Sequence, residues 1–296
     1  SESSVKNMKT RIITGVTAAL FAIGSLVAIG FGYARYISFI IAVLSAIAVH
    51  EVITVSKCKN KVVMAVTMLF SAAYSPFIAF DLERYLIIPK SSILIIYISV
   101  LLLIMLKFYD ITRFEHVALA LFTSLAVPAS LTTLIQLPLL CDENPQLFQR
   151  SQAVFMLLCA MYCAWLSDTF AYFIGSKFGK HKLSPKISPK KSIEGAVAGV
   201  VGTTVFAAVT FLICKHFFFT LDTIKLWQVI IATVVLCVLG MCGDLSASVI
   251  KRNFGEKDFG TLFPGHGGVL DRVDSFLFTM PSLYLIVEVA AAFANK

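Results

Sequence analysis

The sequence predicts an all-α polytopic membrane protein, a bundle of about nine transmembrane helices with its N-terminus inside and its C-terminus outside. Three observations carry that prediction. The first is composition: 58% of the 296 residues are hydrophobic and only 14% are charged. The mean hydropathy is +0.86, whereas a soluble domain has roughly 45–50% apolar and about 25% charged residues. The second is the recurrence of apolar runs of about twenty residues, each long enough to cross a hydrocarbon core about 30 Å thick. The third is the placement of the basic residues. With an inside N-terminus and alternating spans, 18 of the 25 Lys and Arg fall on the inside, the bias expected of cytoplasmic segments.

The runs lie near 12–32, 36–55, 62–80, 91–109, 117–139, 153–175, 195–219, 226–250 and 276–294. The first is longer than a signal-peptide core and has no evident cleavage site, so it is expected to be retained. The residues before it, SESSVKN ahead of Met8, are expected to form a flexible end. In the second, His50 and Glu51 sit near a cytoplasmic end and read as interfacial side chains that snorkel. The third is the weakest and contains Pro76. Asp110, Arg113, Glu115 and His116 follow the fourth as a solvated mixed-charge loop. Pro128 interrupts the fifth, where neighbouring helices can tolerate a kink. The chain divides into N-terminal transmembrane helices over 1–150, read as a scaffold, and a C-terminal catalytic region over 151–296 with cytoplasmic loops 176–194 and 251–275.

Charge and cysteine usage narrow the function classes. The net charge of +8 follows partly from topology and suits an anionic lipid or nucleotide. No aromatic-basic module of the RNA-binding kind is visible, so nucleic acid is not expected as a partner. The seven cysteines lie mostly within the spans without a CxxC pair, and read as small apolar packing residues. No internal repeat of transporter type is present.

The unusual chemistry lies beyond residue 160. In WLSDTFAYFIGSKFGKHKLSPKISPKKSIEG, Trp165 to Gly195, Asp168 stands nine residues before Lys177, roughly 13 Å in along a helix. A carboxylate at that depth needs a cation, a metal or a water-filled cavity. Gly175 and Gly179, like Gly195 and Gly199, have the small-xxx-small spacing that permits close helix approach. Between them, Ser184-Pro185 and Ser188-Pro189 stiffen a loop whose Lys182, Lys186, Lys190 and Lys191 supply cations and whose Ser188 and Ser192 supply hydroxyls. Ser192 then opens a helix whose N-terminal amides favour an anion. Such a loop suits phosphate oxygens, though a lysine-rich loop also follows the topology rule alone.

In GDLSASVIKRNFGEKDFGTLFPGHGGVLDRVDS, Gly243 to Ser275, Asp244, Ser248, Lys251 and Arg252 recur at helical spacing and are expected to share a face. Asp271 and Asp274 are three apart and are expected to share a face at the start of the last span. The carboxylates of Asp168, Asp244, Asp271 and Asp274 can then converge just below the cytoplasmic surface. Close acids repel one another without a cation, and an all-oxygen donor set points to Mg²⁺ or a similar hard ion. Gly265, His266, Gly267 and Gly268 would let backbone N–H groups approach phosphate oxygens. The order does not match a P-loop.

These residues resemble the phosphatidate cytidylyltransferase (CDP-diacylglycerol synthase) family. The resemblance is carried by Ser248, Lys251-Arg252, Lys257-Asp258, Gly260, Pro264-Gly265-His266-Gly267-Gly268, Asp271-Arg272 and Asp274, and upstream by Asp168-Thr169, Tyr172, Gly175, Gly179, Ser188-Pro189-Lys190-Lys191-Ser192 and Glu194-Gly195. It is sharp over 165–275 and general before that. It implies condensation of CTP with phosphatidic acid to CDP-diacylglycerol and pyrophosphate, in phospholipid synthesis, with Mg²⁺ and a monovalent cation such as K⁺ beside it. On that reading Asp244 and Asp271 bind Mg²⁺, with Asp168 and Asp274 in support. Lys190, Lys191 and Gly265–Gly268 would hold the CTP phosphates, with His266 a phosphate donor or a structural residue. Lys251, Arg252 and Arg272 would bring the lipid phosphate in line. The site is expected to face the cytoplasm, within a bacterial inner membrane and open sideways to lipid, and a homodimer is left open. The alternatives are a CTP-dependent polyprenol or phytol kinase, a CDP-archaeol synthase and, from another class, a cation transporter.

Overall fold

The computed structural model describes residues 2–86, 89–217, 221, 223–263 and 267–294. Within them the chain is almost wholly helical. Helices α1 (Glu2–Gly30), α2 (Ala34–Val55), α3 (Lys61–Ala79), α4 (Lys90–Lys107) and α5 (Phe114–Glu143) are followed by α6 (Arg150–Met161) and α7 (Ser167–Phe178). A two-stranded antiparallel hairpin comes next, β1 (Lys182–Ser184) and β2 (Ser188–Ser192), with Lys182 opposite Ser192 and Ser184 opposite Ser188. Then come α8 (Ile193–Phe217), α9 (Leu226–Asn253), the short α10 (Leu270–Val273) and α11 (Phe276–Ala294).

Among the described residues, seven helical stretches are long and apolar enough to cross a membrane: α2, α3, α5, the continuous α6–α7, α8, α9 and α11. Two shorter apolar helices, Gly15–Gly30 and Ser91–Lys107, cover two further runs expected from the sequence. The chain is therefore an all-α, multi-pass membrane protein. Two local expectations fail. The helix begins at Glu2, so Glu2 to Asn7, expected to be part of a flexible end, continue α1. Helix α5 runs unbroken through Pro128, whose carbonyl accepts the Thr132 hydroxyl at 2.6 Å.

The chain forms two compact units. The first comprises the described residues of Ser1–Ser25, Gly32–Ile135 and Asn253–Val273. Its centre is the α2–α3 hairpin, whose buried faces are rich in small residues, Ser38, Ala42, Ser45 and Ala48 on α2 and Thr67, Ser71, Ser75 and Ala79 on α3. Small side chains let helix backbones approach closely where lipid provides no hydrophobic drive. Asn60 caps α3, its Oδ1 accepting from the Val62 and Val63 amides at 2.9 and 3.3 Å. Its Nδ2 donates to Thr112 Oγ1 at 2.7 Å. Asn60→Ala is expected to lower stability by about 1–2 kcal/mol, read as a lower melting temperature in detergent.

The second unit comprises the described residues of Leu26–Phe31, Gln136–Arg252 and Asp274–Lys296. Phe155, Ala207, Phe211, Leu221 and Val229 form a core cluster there. Glycines bring its helices together: a Cβ at Gly195 on α8 would stand 2.7 Å from the Ala171 carbonyl oxygen and 3.1 Å from the Gly175 Cα on α7. Neither atom is the end of a flexible chain, so Gly195→Ala must push the two helices apart. The expected loss is about 1–3 kcal/mol, checked by thermal unfolding.

Candidate active site

The second unit assembles a polar cluster from four separate elements: α7, β2, α9 and the turn before α11. A five-residue π turn, Tyr162–Leu166, separates α6 from α7. Such a turn holds one residue more than α-helical geometry, rotating the downstream residues by about 100°. Asp168 comes two residues later and opens onto a cavity of about 220 Å³, lined also by Tyr172, Ser188, Lys190, Lys191 and Ser192. The Asp168 side chain is 48% exposed. The structure gives this acid a cavity and a cation.

The cation is Lys191. Strand β2 turns its ammonium inward, where it bonds Asp244 Oδ2 on α9 and stands 3.8 Å from Asp168 Oδ1. Burial pulls the Lys191 pKa down, but Asp168 and Asp244 outweigh it and hold the pKa above the ordinary lysine value. Ser192 is buried and caps α8, its Oγ accepting the Gly195 amide at 3.2 Å. The start of the hairpin is clamped by Glu194, whose carboxylate accepts the Lys180 and His181 amides at 3.1 Å.

Asp274 completes the cluster. Gly243 lets α11 approach α9 so closely that an added Cβ would stand 2.8 Å from the Asp274 carbonyl oxygen. Burial pushes the Asp274 carboxyl up to about 8, the Asp244 and Asp168 charges add to the rise, and Lys251 opposes it. Lys251 and Ser248 are buried, whereas Arg252 is exposed with its Nε 3.5 Å from the Ile187 carbonyl. The single face expected for Asp244, Ser248, Lys251 and Arg252 is thus split, because consecutive helical positions diverge by about 100°.

The remaining expected residues belong to the first unit. Asp271 is on α10, which ends at Val273, and α11 begins only at Phe276. Asp271 and Asp274 therefore do not share one continuous helical face. Asp274 lies in the intervening turn, its Oδ1 accepting the Ser275 amide at 2.8 Å. Asp271 Oδ2 accepts the Phe259 and Gly268 amides at 2.7 and 2.9 Å. The Gly268 amide, read from the sequence as a phosphate donor, thus serves the protein's own carboxylate. Gly267 takes φ +81°, and its carbonyl accepts the Phe263 amide at 2.9 Å. Arg272 is exposed. Gly265 and His266 lie outside the described residues.

A family model described as the Cytidylyltransferase family matches residues 9–290 of this chain. The chain belongs to that family. Proteins named phosphatidate cytidylyltransferase are similar to it: one from Staphylococcus haemolyticus is 41% identical over 138 residues, covering 47% of this chain and 51% of the relative. One from Staphylococcus aureus strain COL is 41% identical over 144 residues with the same coverage. One from Staphylococcus saprophyticus is 37% identical over 138 residues, again covering 47% of this chain and 51% of the relative. The chain spans about half the length of the curated relatives it matches.

Within this cytidylyltransferase-family chain, the carboxylates of Asp168 and Asp244, which share the Lys191 ammonium, offer the hard oxygen donors that a cation such as Mg²⁺ takes. Among the described residues no three His, Cys, Asp or Glu side chains are grouped as a ready-made ion cage. Mg²⁺ keeps several waters and is usually held by one or two carboxylates plus substrate phosphates. Glu51 is the residue that sequence reasoning missed. It is only 6% exposed and engages a loop more than 200 positions away in the chain, so it does not snorkel. Its one signal was an acid in an otherwise apolar run.

Proposed function

We propose that the chain transfers the cytidylyl group of CTP to phosphatidic acid, giving CDP-diacylglycerol and pyrophosphate. The observation that carries this reading is Lys191, held between Asp168 and Asp244 at a cavity lined by Ser188, Lys190 and Ser192, in a chain of the Cytidylyltransferase family. The cavity is smaller than the roughly 300–1,000 Å³ typical of a whole small-molecule ligand. It suits a phosphate-bearing portion of a substrate.

The chemistry needs little acid–base help. A phosphate monoester has a second pKa near 6 and is largely a dianion at neutral pH. Its oxygen attacks the α-phosphorus of CTP, a new P–O bond forms, and the bond to the β-phosphate bridging oxygen breaks with the electron pair leaving on pyrophosphate. Two anions must meet, so positioning and charge neutralisation dominate. Lys191 supplies positive charge where phosphate oxygens enter, and Asp244 fixes its ammonium. Lys190, Ser188 and Ser192 add donors along the wall, and Lys251 balances Asp274. Asp244, with Asp168 and Asp274, would hold Mg²⁺, which supplies Lewis-acid neutralisation of the phosphates when bound; K⁺ beside it is part of the same proposal.

The reading extends to topology. The positive-inside distribution supports nine spans, an inside N-terminus, an outside C-terminus and a cytoplasm-facing site; a bacterial inner membrane is part of the same proposal. Purified protein in detergent, given CTP, phosphatidic acid and Mg²⁺, is expected to yield CDP-diacylglycerol and pyrophosphate by mass spectrometry. A folded, lipid-replete preparation that yields neither would overturn the reading. Phosphorylation of a polyprenol, or nucleotide-independent cation flux in liposomes, would establish one of the alternatives.

A further inference from the structure

The glycine loop that follows α9 is held from two sides by buried carboxylates. Asp271 takes the Phe259 and Gly268 amides. Glu51, in the last turn of α2, takes the next two: Val269 N–H donates to Oε1 at 2.9 Å and Leu270 N–H to Oε2 at 3.0 Å. Both donors belong to residues only 2% exposed, and buried amides of this kind need a partner. The fit is tight. A Cβ at Gly260 would stand 2.6 Å from Glu51 Oε1, and one at Gly268 would overlap Oε2 more closely still. Glu51 itself is carried by a braced element, because Val49 and Ile53 on the same helix pack with Cys58, Val63 and Ala120.

We propose that Glu51 is a positioning residue for the reaction: the α2–α3 hairpin fixes the backbone at Val269 and Leu270 through this carboxylate and thereby sets the segment on which Gly267, Gly268, Asp271 and Arg272 are mounted. The N-terminal helices then have a task in the chemistry beyond scaffolding. Its bearing on catalysis rests on the cytidylyl-transfer reading above and on the roles that the family resemblance implies for Asp271, Arg272 and the glycines; the clasp itself rests on neither.

The test uses the full chain in detergent, with Glu51→Ala, Glu51→Gln, Gly260→Ala and the Glu51→Ala/Gly260→Ala double variant. Glu51→Gln keeps one acceptor but turns an NH₂ toward the other amide. Each single variant is expected to lower kcat/KM by about 10²-fold, the loss that a misplacement of about 1 Å produces. Hydrogen exchange should quicken in peptides covering 259–270 while α2 and α3 stay protected. Because Gly260 acts through Glu51, the double variant should be no worse than Glu51→Ala alone. Unchanged exchange in 259–270, or losses that multiply in the double variant, would overturn the proposal. If the parent protein makes no CDP-diacylglycerol, the functional reading fails, and the exchange data still decide whether Glu51 holds the loop.

Discussion

Replacing Lys191 with methionine is expected to lower kcat/KM by about 10²–10³-fold, the range seen when one preorganised charge-stabilising donor is removed. The side chain packs against the same wall, but the ammonium between Asp168 and Asp244 disappears. Two carboxylates, those of Asp168 and Asp244, then lose the countercharge they share. Their mutual repulsion also lowers stability, because removing one partner of a poorly solvated pair leaves the other uncompensated. A Lys191→Met/Asp244→Asn double variant separates the two effects. It removes both charges and should recover much of the lost melting temperature while remaining inactive. Steady-state kinetics together with thermal unfolding of Lys191→Met, Asp244→Asn and the double variant check this.

Asp244→Asn is expected to reduce turnover by at least about 10³-fold, or about 4 kcal/mol of transition-state stabilisation. The substitution preserves shape and hydrogen-bonding capacity and removes only the charge. Two functions fail together: the Lys191 ammonium loses its bonded anion, and the candidate Mg²⁺ site loses a carboxylate. Raising Mg²⁺ is not expected to restore the rate, because the position of Lys191 depends on the same oxygen. Rates measured across a Mg²⁺ titration test this, and recovery to near wild-type rate at high Mg²⁺ would assign Asp244 to metal affinity alone.

Much of the fold was legible because the solvent is lipid. Every backbone polar group within a bilayer must be satisfied internally, so an apolar run of sufficient length has little alternative to a helix, and each expected run coincides with one. What escaped depends on geometry that hydropathy does not encode. The π turn before Asp168 has no composition signal, since Tyr162–Leu166 reads as plain apolar helix. The break between α10 and α11 arises where the turn around Asp274 and Ser275 replaces continuous helix, a choice made by local capping.

The site shows the same division. Asp168 and Asp244 were visible as acids in apolar surroundings, and Lys191 as one of several cations in a loop. Which lysine turns inward was not, because it depends on the register of a hairpin with Lys182 opposite Ser192 and on alternation along β2. Glu51 was hidden for a different reason. A helix-end glutamate ordinarily reaches water, and only the folded chain shows two buried amides aimed at it.

On the proposed function the cytidylyl group, and not a phosphate, passes from CTP to the lipid. The most direct measurement gives the purified protein phosphatidic acid and Mg²⁺ with CTP radiolabelled at either the α- or the γ-phosphate. Label from the α position is expected in the lipid fraction, and label from the γ position in pyrophosphate. Transfer of γ label to lipid would contradict the account and identify a kinase.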